Sequence, residues 1–285
     1  MVFTECLLDA LVDTLRLLPF LFLTYLAMEY LEHRAGNKSV RIIRKTGRLG
    51  PLVGAAAGVV PQCGFSAAAS SLYSGGLITT GTLLAVLLST SDEMLPIFIS
   101  EAVRIPTILK ILGTKVLLAA VTGFLLDLIL RRFRKQEVHK DIHDLCEHEH
   151  CHCEDGIWKS ALRHTLQITL FLFLITLALG LCIQFLGEDT ISGFLTGQPV
   201  PGVFLAALVG LIPNCASSVI ITQLYLSGLL GAGQMMGGLL VSCGVGLLVL
   251  FRTNQKLKEN LKITAALYVT GVLWGLLIEG MGVTF

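Results

Sequence analysis

Gly58-Val59-Val60-Pro61-Gln62-Cys63-Gly64-Phe65-Ser66 decides the fold, because the chain carries it twice. The second copy is Gly210-Leu211-Ile212-Pro213-Asn214-Cys215-Ala216-Ser217-Ser218. The two align without a gap at an offset of 152, which sets Cys63 on Cys215 and Ser66 on Ser218. Gly58/Gly210, Pro61/Pro213, Leu72/Leu224 and Tyr73/Tyr225 coincide, and Gln62 faces Asn214. Further on, Gly76/Gly228, Gly81/Gly233 and Leu87-Leu88/Leu239-Leu240 keep the same register. Each copy sets a proline, an amide and a thiol inside an apolar run. Proline cannot continue a helix's hydrogen bonding, and in lipid the freed backbone groups need partners. Interrupted apolar segments at corresponding places in two halves of a chain point to a transporter's substrate site.

The sequence around the two copies is that of a membrane protein. Hydrophobic residues make up 54% of the 285, charged residues only 14%, and the mean hydropathy is +0.76. Soluble domains carry about 25% charged residues. A net charge of +1 supplies no basic field for nucleic acid. Met1 to Leu8 shows neither a basic start nor a small-residue cleavage site, so the first helix is expected to stay. Cys63, Cys182, Cys215 and Cys243 lie in apolar runs, and Cys146, Cys151 and Cys153 crowd one hydrophilic loop. That distribution is not a disulfide framework.

Spans are expected at residues 6–30, 79–101, 105–130, 158–186, 231–251 and 261–280. The two motif segments, 51–73 and 201–226, have arms of about ten residues each, roughly 15 Å, or half the hydrocarbon thickness. Each is therefore either one broken crossing or a hairpin that dips in and returns. Positive charge chooses. If Arg41, Arg44, Lys45 and Arg48 are cytoplasmic, a crossing at 51–73 puts Arg131, Arg132, Arg134 and Lys135 outside, whereas a hairpin keeps them inside. The same test keeps Arg252, Lys256, Lys258 and Lys262 inside. Each half then holds three crossings and one re-entrant hairpin, and the odd number inverts the second half. The expected fold is an all-α polytopic membrane protein with an inverted repeat. Residues 1–130 form the first repeat, 131–157 a cytoplasmic His/Cys-rich linker, and 158–285 the second repeat; both termini lie outside. The last spans match less well: Thr122-Gly123 meets Thr270-Gly271 only after a four-residue shift.

Several residues could carry chemistry. If the hairpin tips meet at the midplane, the second arms present free N–H groups and positive dipole ends there. Gln62, Ser66, Asn214, Ser217 and Ser218 add hydroxyls and amides, a set suited to an anion. The first arms end at the same depth, and their carbonyls would suit a cation. The plainer reading is a pair of Pro-broken helices packed through small residues such as Ala55 to Ala57. Cys63 and Cys215 are either soft ligands for a thiophilic ion or small buried residues. Ser91, Asp92 and Glu93 fall near the middle of span 79–101, where a carboxylate costs about 2.5–3.5 kcal/mol to insert and is a coupling candidate by default. Lys110 and Lys115 could pair with it instead. The counterparts of Asp92 and Glu93 are Gly244 and Val245, so the halves are chemically unequal. In the linker, His148, His150, Cys151, His152 and Cys153 are dense N/S ligands that suit a soft divalent metal. A polar linker without a metal is the competing reading.

Pro61-Gln62-Cys63-Gly64-Phe65-Ser66, Ser89-Thr90-Ser91-Asp92-Glu93-Met94-Leu95-Pro96, Pro213-Asn214-Cys215-Ala216-Ser217 and Leu248 to Asn254 resemble a bacterial family of arsenic or heavy-metal efflux permeases, some members of which carry a manganese-transporter label. The likeness runs over nearly the whole chain. It implies inorganic-ion efflux across the inner membrane. A description with more spans would count the hairpin arms separately.

These observations lead to a secondary exporter of a small inorganic ion, most simply an arsenic- or phosphate-like oxyanion, with H⁺ or Na⁺ as coupling ion and no required cofactor. The alternative is a divalent cation of the manganese type, held by Asp92, Glu93, Asn214 and carbonyl oxygens. A membrane-anchored metal sensor and an intramembrane enzyme are less favoured. Neither a phosphate-binding Gly-x-x-x-x-Gly-Lys-Ser/Thr loop nor a hydrolase or zinc-protease motif occurs. The partners are the ion and the bilayer; a homo-oligomer is left open.

Overall fold

The computed structural model describes residues 7–8, 10–12, 14–15, 18–19, 21–23, 25–26, 49–60, 63–91, 94–133, 157–186 and 199–285. Among them every regular element is a helix. In chain order these are α1 (Gly50–Gly58), α2 (Cys63–Ser74), α3 (Thr80–Ser89), α4 (Met94–Ser100), α5 (Ile105–Phe133), α6 (Ile157–Leu186), α7 (Pro199–Gly210), α8 (Cys215–Leu226), α9 (Ala232–Val241), α10 (Gly246–Thr253) and α11 (Leu257–Gly280). The described residues between 7 and 26 are helical as well. Four stretches are long and apolar enough to cross a membrane: Thr80–Ser100, Ile105–Leu130, Ala232–Thr253 and Leu257–Gly280. The protein is an all-helical, polytopic membrane protein. On α5, Leu109, Leu117, Leu125 and Leu128 face outward while Ile111, Lys115 and Ala119 face the core. An apolar outer face of this kind suits lipid.

The chain breaks at both motif copies, between α1 and α2 and between α7 and α8. The arms run 9, 12, 12 and 12 residues. At 1.5 Å per residue that is about 13–18 Å, again half a hydrocarbon thickness.

The offset seen in the sequence governs the architecture. Cys63/Cys215, Thr80/Ala232, Met94/Gly246 and Ile105/Leu257 begin corresponding helices, each pair 152 apart. Packing repeats too. α1, α3 and α5 form one three-helix unit, and α7, α9 and α11 form its counterpart. A Cβ on Gly81 would stand 2.2 Å from the Gly123 carbonyl oxygen, and one on Gly233 2.5 Å from that of Gly275. Backbones therefore touch at α3–α5 and at α9–α11, as small residues permit between membrane helices. Contacts between the halves are reciprocal, α2 with α10 and α8 with α4. Trp274 Nε1 donates to Thr122 Oγ1 at 3.0 Å, and these residues are themselves 152 apart. Counterpart residues thus meet at this point of the contact between the halves.

The spans expected at 79–101 and 231–251 are present as Thr80–Ser100 and Ala232–Thr253, each interrupted within. α3 stops at Ser89, with Thr90 at φ −52°, ψ 128°, and α9 stops at Val241, with Ser242 at φ −70°, ψ 96°. The second break turns through Gly244 at φ +53°, a conformation that costs only glycine nothing. In the first, Pro96 lies in the first turn of α4, where its missing N–H has no intrahelical role. The last spans also need no shift. Asp127 accepts from Gly81 N at 2.8 Å and from Thr79 Oγ1 at 2.6 Å; Glu279, its counterpart, accepts from Gly233 N at 3.0 Å. Both carboxylates sit at the N-terminus of the half-helix they hold, where negative charge is favoured.

Candidate functional site

A broken span leaves carbonyls without intrahelical partners where its first half ends. Thr90 O at the end of α3 and Leu239 O in the last turn of α9 are two such groups. Lys115, on α5 and 0% exposed, serves both: its ammonium donates to Thr90 O and, at 3.0 Å, to Leu239 O. Cations are favoured at helix C-terminal ends, and here one cation answers two ends, one from each half. Its counterpart on α11 is Leu267, also 0% exposed.

A small cavity opens beside this lysine. Thr90 and Ser91 of the first break, Ser242 of the second, Cys215 and Ser218 of α8, and Lys115 give it a polar lining, closed by Met94, Leu239 and Gly244. It has room for one water-sized particle. The start of α8 is shaped for the place. Asn214 is extended (φ −142°, ψ 145°), and its Oδ1 accepts from Ala216 N at 2.9 Å, a helix N-cap. Ser217 Oγ donates to Asn214 O at 2.8 Å and to Ile212 O at 3.2 Å, and Ser218 Oγ to Cys215 O at 2.8 Å. The positive end of α8 and the Lys115 ammonium thus border the same space.

Of the residues singled out in the sequence, Ser91, Cys215 and Ser218 come together here. Asn214 and Ser217 adjoin them, with their oxygens engaged within the turn. Ser66 lies elsewhere. It is 0% exposed and packs on the first turn of α10, where a Cβ on Gly246 would stand 2.7 Å from the Ser66 Cβ. Ser70 Oγ donates to Gly246 O at 2.7 Å, and Ser74 Oγ pairs with Thr253 Oγ1 at 2.7 Å, which binds α2 along α10. Within the described residues, then, Ser66 of the first copy packs beside the second break, and Cys215 and Ser218 of the second copy line the cavity. Gln62, Asp92, Glu93, His148, His150, Cys151, His152 and Cys153 lie outside the described residues, as does the side chain of Cys63.

Sequence reasoning passes over Thr90 and Ser242 and weighs Lys115 only as a partner for a carboxylate. A signal existed for each. Thr90 and Ser242 are 152 apart, so both halves place a hydroxyl at the break. Lys115 is a cation well inside an apolar stretch.

The family described as "Putative, 10TM heavy-metal exporter" matches residues 2–188 of the chain, which takes in the first half, the linker and α6. No curated protein and no solved structure matches.

Proposed function

The chain belongs to this heavy-metal exporter family, and from that premise we propose that it is a secondary exporter of a small inorganic ion with its site in the Lys115 cavity. The observation that carries the reading is the buried ammonium beside four hydroxyls and a thiol. It favours an anion. An ammonium attracts an anion placed beside it and repels a divalent cation. The Cys215 thiol adds a soft ligand for trivalent arsenic. The manganese-type alternative needs hard oxygen ligands, yet Thr90 O and Leu239 O already hold Lys115 and Asn214 Oδ1 caps α8.

The coupling ion, H⁺ or Na⁺, is carried at the α3–α4 break, where Asp92 and Glu93 follow Ser91. Opposed basic ends support an inverted repeat in the inner membrane. Arg131 and Arg132 stand at the end of α5, whereas Lys256, Lys258 and Lys262 stand at the start of α11. Six spans and four half-length arms make ten, the number in the family description. The linker's His148, His150, Cys151, His152 and Cys153 hold a soft metal for sensing, apart from the transported ion.

Two measurements test this. Arsenic, phosphorus, manganese and zinc are measured in cells with and without the protein. Lower arsenic or phosphorus is expected on expression; a fall in manganese alone transfers the site to the alternative. Single cysteines at Ser74 and Thr190 should label from opposite membrane faces, and labelling from one face contradicts the hairpins.

A further inference from the structure

We infer that α2, α10 and α11 form a gate across one of two ways out of the cavity, with Tyr73 and Glu259 as its latch. The inference rests on the cavity being the transport site and assigns residues that close it.

Two helix pairs start at the breaks and join the halves: α2 with α10, and α8 with α4. The cavity takes its lining from the second pair. Cys215 and Ser218 of α8 and Met94 of α4 border it, and among the described residues none of α2 or α10 does. The first pair is fastened along its length instead. Ser70 Oγ donates to Gly246 O at 2.7 Å, and Ser74 Oγ shares a hydrogen bond with Thr253 Oγ1 at 2.7 Å. One residue before Ser74, Tyr73 Oη donates to Glu259 Oε1 in the first turn of α11. Ser70, Tyr73, Ser74 and Thr253 are all buried. The corner that carries Glu259 is braced as well: Asn254 Nδ2 donates to Asn260 Oδ1 and Asn260 Nδ2 to Asn254 O, both at 2.6 Å.

The counterparts of these residues, at the same offset of 152, spend their polarity differently. Thr222 stands for Ser70 and donates to Ser218 O of its own helix at 2.7 Å. Leu226 stands for Ser74 and has no hydroxyl. Tyr225 stands for Tyr73 and donates to Phe285 O at 3.4 Å. Thr107 stands for Glu259, so the carboxylate is not duplicated. The halves are thus tied by hydroxyls along α2–α10, and the matching letters are missing along α8–α4. Alternating access moves one repeat against the other around a fixed site. Opening between α2 and α10 must break these bonds, and the Tyr73–Glu259 bond, with a carboxylate as acceptor, is the strongest of them.

The full-length protein in nanodiscs tests this, with both faces open to a bulky membrane-impermeant maleimide and labelling read residue by residue by mass spectrometry. Two thiols report: Ser70→Cys within the fastened pair, and the native Cys215 in the cavity. On the Ser70→Cys background, Tyr73→Phe should speed labelling at position 70 at least about fivefold, because a hydrogen bond to a charged group shifts an equilibrium by roughly tenfold or more. It should slow labelling at Cys215, because opening one side closes the other. Glu259→Ala should do the same, and adding Tyr73→Phe to it should change nothing further. Unchanged labelling at position 70 in both variants overturns the gate. So does a rise at position 70 without a fall at Cys215, which is a loosened fold. Additive effects of the two substitutions overturn the latch. Ion content in cells separates this inference from the reading beneath it. Where the wild type lowers an ion and the labelling fails as described, the gate alone falls; where no ion responds to the protein, transport falls and the gate with it.

Discussion

Lys115 on α5 and Leu267 on α11 occupy the same place in the two halves. Both are fully buried, yet one ends in an ammonium bonded to carbonyls of both halves and the other in two methyl groups. The contrast continues along the breaks. Ser91-Asp92-Glu93 stands where the second half has Cys243-Gly244-Val245. At the outer ends of the same helices the halves agree, with Gly81 against Gly233, Gly123 against Gly275, and Asp127 against Glu279. Residues that set helix spacing and hold helix starts are duplicated; Lys115, which brings charge to the cavity, is single. The scaffold needs both halves to pack alike, whereas a second buried ammonium in place of Leu267 would need partners of its own.

Exchanging the lysine and the leucine tests this contrast most severely. Lys115→Met should cut transport at least about 30-fold with the protein still in the membrane, since removing one member of a buried charged hydrogen-bonded set costs about 2–5 kcal/mol. Leu267→Met should transport normally. Leu267→Lys should lower stability by about 3–5 kcal/mol, the cost of an uncompensated buried charge, read as thermal unfolding in detergent. If Lys115→Met still transports at the wild-type rate, the unequal position is not the working one.

The matched positions should respond alike. Gly81→Ala and Gly233→Ala each push a methyl onto a backbone carbonyl and should each cost about 1–3 kcal/mol in the same unfolding assay. A large effect at one site and none at the other would break the symmetry argument. Smaller again, Asp127→Asn and Glu279→Gln should each cost about 1 kcal/mol as weakened helix caps. Smallest, Trp274→Phe removes one partly buried neutral hydrogen bond and should cost about 0.5 kcal/mol.

Much of this architecture was legible. The motif copies located both helix breaks and the constant offset, because proline and glycine leave letters that survive duplication. The breaks inside the two long spans were not read, although Pro96 and Gly244 lie in or beside them. Hydropathy averages over a window, and Leu83 to Leu88 and Leu247 to Leu250 keep the average high beside the four-residue interruptions at 90–93 and 242–245. The caps were hidden because Asp127 and Glu279 do the same work with different letters, which turned attention to the shifted Gly123/Gly271 match. At the site, Ser91, Cys215 and Ser218 were found by polarity within apolar runs. Ser66 met the same criterion and packs against Gly246 instead, since a pattern within one segment carries nothing about which neighbour faces it. Lys115 belongs to the cavity through carbonyls distant in sequence, and no local motif marks such a partnership.

The bond from Trp274 to Thr122 has an evolutionary reading. A residue that touches its own counterpart is the contact that two identical chains would make on meeting face to face, and the one a duplicated and fused gene would keep. Severed in the linker and made as separate polypeptides, the present halves should still find each other, while neither alone should cage an ion.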